Sequence, residues 1–500
     1  MASIRKTKTS SGATAIQVVK YVNRKIVILK HIGSAHSPDE IEALVESAEH
    51  WLTRKTSQAS LFSKSTRRTI SLDHSEYTGV IHNFAYSALS QIAVKIGLAQ
   101  LNNKILLDLA FMRLIEPTSK LRSIKLMQKY FSIRHAERSV YRALPKFKES
   151  KMESERIAVR CALSNLSSNL NFVLYDVTTL YFETFAADEL RVPGFSKDNK
   201  SNQPQIVIGL LVTSNGFPLG YEVFRGNTFE GHTMIPVLKK FTDTHNVAFP
   251  TVVADAAMIS KTNIEELKQN NLSYIVGARM ANARPAIIYD VYKKLNRTDG
   301  ATVRLSTIHG DLICSFSSKR FRKDMFEMNK QIERSKILIN KREPGKRSKF
   351  VKKSSKDNLY ELNLKLIEKT SLLLGIKGYY TNIPSSTLSD EEVIKHYRDL
   401  WHVEQAFRMA KSDLATRPVF HHKEDAVRAH MVVCFVSLII GKYIEIKTKT
   451  SLRQVVDELW SVTDAQIVDK ITGEKFSMRS KPTEKVNDFC KKLGLIALSY

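Results

Sequence analysis

Two aspartates stand inside runs of apolar and β-branched residues, a placement that few folds tolerate. Asp176 lies within Asn171–Phe182 (NFVLYDVTTLYF), and Asp255 follows the apolar run of TVVADAAM. A carboxylate on such a strand carries a heavy desolvation cost unless it is paired, hydrogen-bonded or bound to a cation. Strand alternation places Phe172, Leu174 and Asp176 on one face and Val173, Tyr175 and Val177 on the other. Downstream, Ile206–Thr213 and Phe217–Phe224 flank Ser214-Asn215-Gly216 and read as a hairpin whose Asn-Gly turn takes positive φ angles. A helix over His232–His245, a strand over Thr251–Ala256, a helix over Ser260–Asn270 and a strand over Leu272–Val276 follow. The fold class is α/β, a mixed sheet in which the first and fourth strands each end near an aspartate.

The flanking regions have other textures. The first 38 residues contain no Asp or Glu, and within them Ile16–Lys20 and Ile26–Lys30 flank Asn23-Arg24-Lys25 as a hairpin with a basic tip. Ser37-Pro38-Asp39-Glu40 supplies the start of a helix through Trp51. Leu106–Leu114, Ser119–Tyr130 and Ser139–Leu144 are helical, with a break at Pro117. Such a pair of helices either presents one member to a major groove or packs without touching DNA. Between Arg279 and Ile376 the sheet rhythm stops, apart from strand-like pieces at Thr302–Ser306 and Leu312–Phe316. It resumes at Leu372–Thr381, and a helix begins at Ser389. The expected divisions are therefore a basic hairpin and helical region (1–165), a first core segment (166–278), an insertion (279–376), a second core segment (377–450) and a helical C-terminal region (451–500).

Charge narrows the partner. The 500 residues carry 77 Lys+Arg against 50 Asp+Glu, a net +27. Lys319–Lys356 alone holds 15 basic and 4 acidic residues, which concentrates the excess inside the insertion. A basic balance on this scale favours a polyanion, nucleic acid before an anionic membrane surface. The longest apolar run, Met431–Gly441, is too short for a membrane span and reads as a buried core helix. Cys161, Cys314, Cys434 and Cys490 are scattered without zinc spacing and suit a reducing compartment. The expected location is the cytoplasm, with no membrane partner.

The helix after Ser389 adds a third acid. Ser389 and Glu392 fit a capping box. Val393, Leu400 and Phe407 recur every seven residues as an apolar seam, and Tyr397, Glu404 and Lys411 recur every seven on a neighbouring face. Glu404 alone is as well explained by a solvated helix surface. Joined to Asp176 and Asp255, it completes an oxygen-rich set suited to Mg²⁺ or Mn²⁺, and two such ions serve phosphodiester cleavage.

These segments resemble bacterial insertion-sequence transposases of the DDE type, in the IS4-like group and its IS1634-type branch. The resemblance rests on YDVTTLYFE around Asp176, GYEVFRGNTFEGHT over 220–233, VVADAAMIS around Asp255 and YRDLWHVEQAFRMAK over 397–411, followed by RPVFHHKEDAVRAH. It implies a ribonuclease-H-like core with a largely β, basic insertion between the second Asp and the Glu, behind a helical N-terminal region. It further implies Asp176, Asp255 and Glu404 as catalytic and metal-holding residues for two Mg²⁺ or Mn²⁺ ions. Tyr397, Lys411, Arg408 and Asn227 become candidates for DNA contact. The group's arginine, three residues after the tyrosine, is replaced by Leu400, so no DNA contact is assigned there. The implied partners are double-stranded DNA, as element terminal inverted repeats and as target, and a second copy of the chain in a homodimer near the bacterial nucleoid. The insertion has no tryptophan to stack on a base: Trp51, Trp401 and Trp460 all lie elsewhere. Competing readings are a two-metal nuclease or site-specific recombinase without strand transfer, a non-catalytic DNA-binding regulator, and an RNA-binding protein, which the buried acids do not fit.

Overall fold

The computed structural model describes residues 2–22, 25–55, 74–184, 186–195, 202–245, 250–258, 260–340, 348–353, 360–470 and 473–496. At the N-terminus β1 (Ala2–Lys8), β2 (Thr14–Val22) and β3 (Lys25–Ala35) form an antiparallel sheet against which α1 (Pro38–Lys55) packs. Ser37 caps α1: the Glu40 amide donates to Ser37 Oγ (3.3 Å) and the Ser37 amide to Glu40 Oε2 (3.4 Å). The expected strands are β2 and β3; the basic tip at 23–24 lies outside the described residues. Ile16, Val18, Ala35, Leu44 and Ala48 give this unit its own small core.

Next come β4 (Ser75–Ile81) and a helical layer of α2 (Asn83–Lys95), α3 (Lys104–Ile115), α4 (Lys120–Phe131), α5 (Glu137–Ala143) and α6 (Ser150–Ser164). α3 is buried along nearly its whole length, from Leu106 to Ile115, which makes it a packing helix. Its one carboxylate, Asp108, is held by Tyr86 Oη (2.6 Å), His135 Nε2 (2.7 Å) and Lys104 Nζ (3.0 Å).

The main sheet is built from β5 (Phe172–Tyr181), β6 (Gln205–Thr213), β7 (Pro218–Arg225), α7 (Met234–His245), β8 (Thr251–Ala254), α8 (Lys261–Gln269) and β9 (Tyr274–Ala278). The β6–β7 turn differs from the expected one, because only Gly216 has positive φ (82°). The Gly216 amide donates to Thr213 O and the Thr213 amide to Phe217 O, so the loop is a turn closed by a left-handed glycine and followed by a register shift.

Residues 279–376 correct the expected largely β insertion. They form α9 (Pro285–Lys294), β10 (Thr302–Thr307), β11 (Gly310–Phe316), α10 (Ser318–Asn340), the short pair β12 (Val351–Lys353) and β13 (Tyr360–Leu362), and α11 (Leu364–Leu372). Through β14 (Ile376–Thr381), β10 and β11 extend the main sheet to the order β10-β11-β14-β9-β8-β5-β6-β7. The first part of the basic stretch, to Asn340, lies in the 23-residue helix α10, in which Phe321, Met325, Met328 and Ile332 recur at helical spacing with no Gly or Pro between them.

The chain ends with α12 (Asp390–Arg398), α13 (Trp401–Arg408), α14 (Glu424–Thr448), α15 (Leu452–Ser461), β15 (Asp464–Asp469), β16 (Lys475–Arg479) and α16 (Glu484–Leu493). β15 pairs with both β16 and β4, which joins the C-terminal region to the strand that precedes the helical layer. Among the described residues α14 is the one helix long and apolar enough to cross a membrane, and it is buried within the protein. α14 packs on both α3 and β7 and so joins the helical layer to the sheet.

At that junction Lys120 is buried, with its ammonium 2.5 Å from His421 Nε2 and 3.4 Å from His430 Nδ1. Burial, helped by the charge of Arg113, lowers the Lys120 pKa from 10.5 to about 7. The folded state thus binds fewer protons than the unfolded chain between those values, so stability rises with pH across that window. Below about pH 7 the whole penalty is present, on the order of 3–5 kcal/mol. Lys120→Met is therefore expected to unfold in more denaturant than wild type at pH 7, with the gain shrinking as pH nears 10. An equal gain at both pH values would refute this account.

Candidate active site

Strand register brings the two aspartates together. β5 and β8 are parallel neighbours, with Tyr175 opposite Ala254, so Asp176 and Asp255 are the next residues on their respective strands and share a face. The row continues through Gly277 on β9 to Tyr379 on β14, which pair directly. Asp176 is half-buried in mid-strand, whereas Asp255 sits just past the end of β8 and is exposed. The expected full burial of both acids holds for neither.

α12 covers this row. Its capping box at Ser389 and Glu392 forms as expected, and it presents a buried Tyr397 whose hydroxyl donates to Asp255 Oδ1 at 3.0 Å. Gly277 makes room for that bond, since a Cβ there would lie 2.4 Å from Tyr397 Oη. Tyr379 meets the Tyr397 ring edge-on at 4.8 Å, and Lys377 Nζ lies 4.5 Å from its centroid. Burial drives the Tyr397 phenol far above its ordinary pKa, and the carboxylates of Asp255 and Glu404 push it the same way. Lys377 is lowered by burial and by Arg320, against the pull of Asp255 and Glu404. Both carboxylates therefore act on the same tyrosine and the same lysine.

The expected single helix from Ser389 to Lys411 is divided. It breaks after Arg398, restarts as α13 at Trp401 and ends in a π-helical turn, Met409–Asp413. The apolar seam survives: Val393, Leu400 and Phe407 are all buried. α13 packs on β5 and β6, with Glu404 and Arg408 exposed one turn apart. Tyr397 and Glu404 thus lie on separate helices and Lys411 lies within the π turn, so the three do not share one helical stripe. Lys411 borders a small hollow with Thr178, two residues beyond Asp176 on the same face, and Phe407.

Asn227 is exposed after β7, but the segment around it supports the site from below. The turn at Glu230–His232 packs on the turn Ala256–Met258 that follows Asp255. Asn263 joins them, donating to Gly231 O (2.5 Å) and Met258 O (2.7 Å), and Tyr175 Oη donates to Thr233 Oγ1 (2.7 Å). His421 is half-buried against Lys120, and its pKa falls to about 4 through burial and the Lys120 charge. Lys377, Gly277 and Asn263 carry no local sequence signal.

A cleft of about 750 Å³ opens beside Asp255 and Tyr397, with Arg279, Arg320, Lys349, Lys369 and Lys377 on its walls. The donors on the row and its facing helix are carboxylate and phenol oxygens, a set that suits a hard divalent cation. Among the described residues, no three acidic, His or Cys side chains cluster closely enough to enclose an ion. Asp176 and Asp255 lie level on adjacent strands, and Glu404 lies on α13, which packs on β5.

No curated protein matches the chain. A solved structure described as a cryo-EM structure of the piggyBac transposase synaptic complex with hairpin DNA aligns at 10% identity over 77% of each chain, with a TM-score of 0.38. The family model described as the transposase DDE domain matches residues 169–440, from just before β5 into α14. That match takes in the sheet, both aspartates and Glu404, and the chain belongs to the family of DDE transposases.

Proposed function

We propose that the protein is an insertion-sequence transposase of the IS4-like group, IS1634-type branch, with a ribonuclease-H-like core. It would bind the terminal inverted repeats of its element, cleave there and join the 3′-hydroxyl ends to target DNA. The observation that carries this reading is the register that levels Asp176 with Asp255 beneath the helices bearing Tyr397 and Glu404. Asp176, Asp255 and Glu404 would hold two Mg²⁺ or Mn²⁺ ions, which supply an activated water or hydroxyl and charge stabilisation at the phosphodiester. Tyr397 keeps one oxygen of Asp255 occupied and fixes its direction. Arg408 and Lys411, on either side of the Glu404 helix end, would hold DNA backbone, with Asn227 a further contact at the sheet edge. The active complex would be a homodimer bridging two ends.

The test uses purified protein, Mg²⁺ and DNA carrying the inverted repeats that flank the gene, with a supercoiled plasmid as target. Covalently joined end–target products are the expected result. Cleaved ends that never join would replace this reading with that of a nuclease.

A further inference from the structure

Lys377 belongs to none of the sequence signatures, yet the charges of both Asp255 and Glu404 act on it. It lies on β14 on the same face as Tyr379, which is opposite Gly277 in the row that leads to Asp255. Its ammonium rests 4.5 Å from the Tyr397 centroid and 5.6 Å from that of Tyr379. Among the described residues it makes no ion pair, although Arg320 and Arg398 are close enough to repel it. A half-buried cation beside two others is costly unless an anion completes the cluster. The acids beyond Tyr397 would themselves be engaged by cations in a working site, so that anion must come from elsewhere.

The cavities indicate its source. Lys377 and Arg320 line both the cleft of about 750 Å³ beside Asp255 and a second hollow of about 540 Å³ that reaches Arg398. A chain passing from one to the other crosses Lys377. We propose that Lys377 is a phosphate-binding residue of the site, gripping one backbone phosphate of the DNA strand as it runs between the two cavities past Asp255. This rests on the active-site reading above. The contact would be independent of sequence, because it reads phosphate and no base edge.

The alternative is a structural staple in which Lys377 only braces Tyr379 and Tyr397. Methylphosphonate linkages, which remove one phosphate charge at a time, separate the two. In full-length protein, wild type should lose at least about tenfold in cleavage when one particular phosphate near the cut is neutralised. K377Q should be about tenfold slower on normal DNA and indifferent to that same replacement, with K377R partly restored. Without metal, DNA binding by K377Q should show a salt slope lower by about one phosphate than wild type. A K377Q protein with the full wild-type methylphosphonate profile and salt slope overturns the proposal. If K377Q proves unstable, K377R and K377M with unchanged melting take its place. D255N run alongside separates the two failures: its retained cleavage would sink the active-site reading, whereas inert D255N with wild-type-like K377Q sinks this inference alone.

Discussion

Asp255→Asn is expected to lower DNA cleavage roughly a thousandfold or more, a loss of about 4 kcal/mol or more in barrier stabilisation. The substitution is nearly isosteric. Asn keeps an oxygen where Tyr397 Oη now donates at 3.0 Å, so α12 stays seated over the row. What disappears is the charge. Asp255 is exposed and contributes little to the core, so melting should be unchanged. Removing a negative charge beside a basic cleft should leave DNA binding intact or slightly tighter, most visibly at low salt. Asp176→Asn should match it in cleavage, since the two residues are level on adjacent parallel strands. Mg²⁺-dependent cleavage surviving in either variant, with the fold intact, would remove that acid from the site.

The parts legible in the sequence are those fixed by short-range pattern. β5 through β9 and their helices fall within a few residues of their expected ends, because alternation and capping residues are local signals. The Ser389 capping box and the seam of Val393, Leu400 and Phe407 are local in the same sense. The insertion reads wrongly because net charge overshadows the helical spacing of Phe321, Met325, Met328 and Ile332 in α10. Its two longer strands join the main sheet because β11 pairs with β14, whose residues lie sixty to seventy positions downstream of their partners, and no local pattern announces such a partner. Lys377 and Gly277 escape for the same reason. Each matters only because β14 lies against β9, beneath a tyrosine from α12. The stripe of Tyr397, Glu404 and Lys411 assumes an uninterrupted α-helix, and that assumption fails twice, at the break between Arg398 and Trp401 and in the π turn Met409–Asp413 that holds Lys411. Among the candidate residues, the two aspartates are legible because a charged residue beside an apolar strand run conflicts with its surroundings; Glu404 on its helix and Lys377 raise no such conflict.

The FRGN segment shows how a motif can be structural at one residue and open at the next. Gly226 closes a crossing of three backbones: a Cβ there would lie 2.1 Å from both Gln205 O and Val192 O. Gly194 faces it, and a Cβ at that position would stand 2.3 Å from Gly226 O. The buried Gln205 side chain stitches the crossing, with Nε2 donating to Gly226 O (2.8 Å) and Phe195 O (2.9 Å), while the Gly226 amide donates to Leu190 O (3.1 Å). Every atom that a methyl group would meet is a backbone carbonyl already engaged or flanked by strand pairing, so none can swing aside as a flexible side chain would. Gly226→Ala is therefore expected to destabilise the protein by about 3 kcal/mol or more, at or beyond the upper end of ordinary overpacking. Because the segment continues to the Glu230–His232 turn that braces the loop after Asp255, cleavage should fall even at temperatures where the variant is folded. Asn227→Ala supplies the contrast. Its side chain is exposed, so stability should change by less than about 0.5 kcal/mol. A loss of DNA affinity in that variant would then report contact with DNA, separated from the structural demand of the adjacent glycine. Unfolding curves in denaturant for the two variants decide the matter, and a Gly226→Ala curve lying on that of wild type would show that the crossing relaxes at little cost.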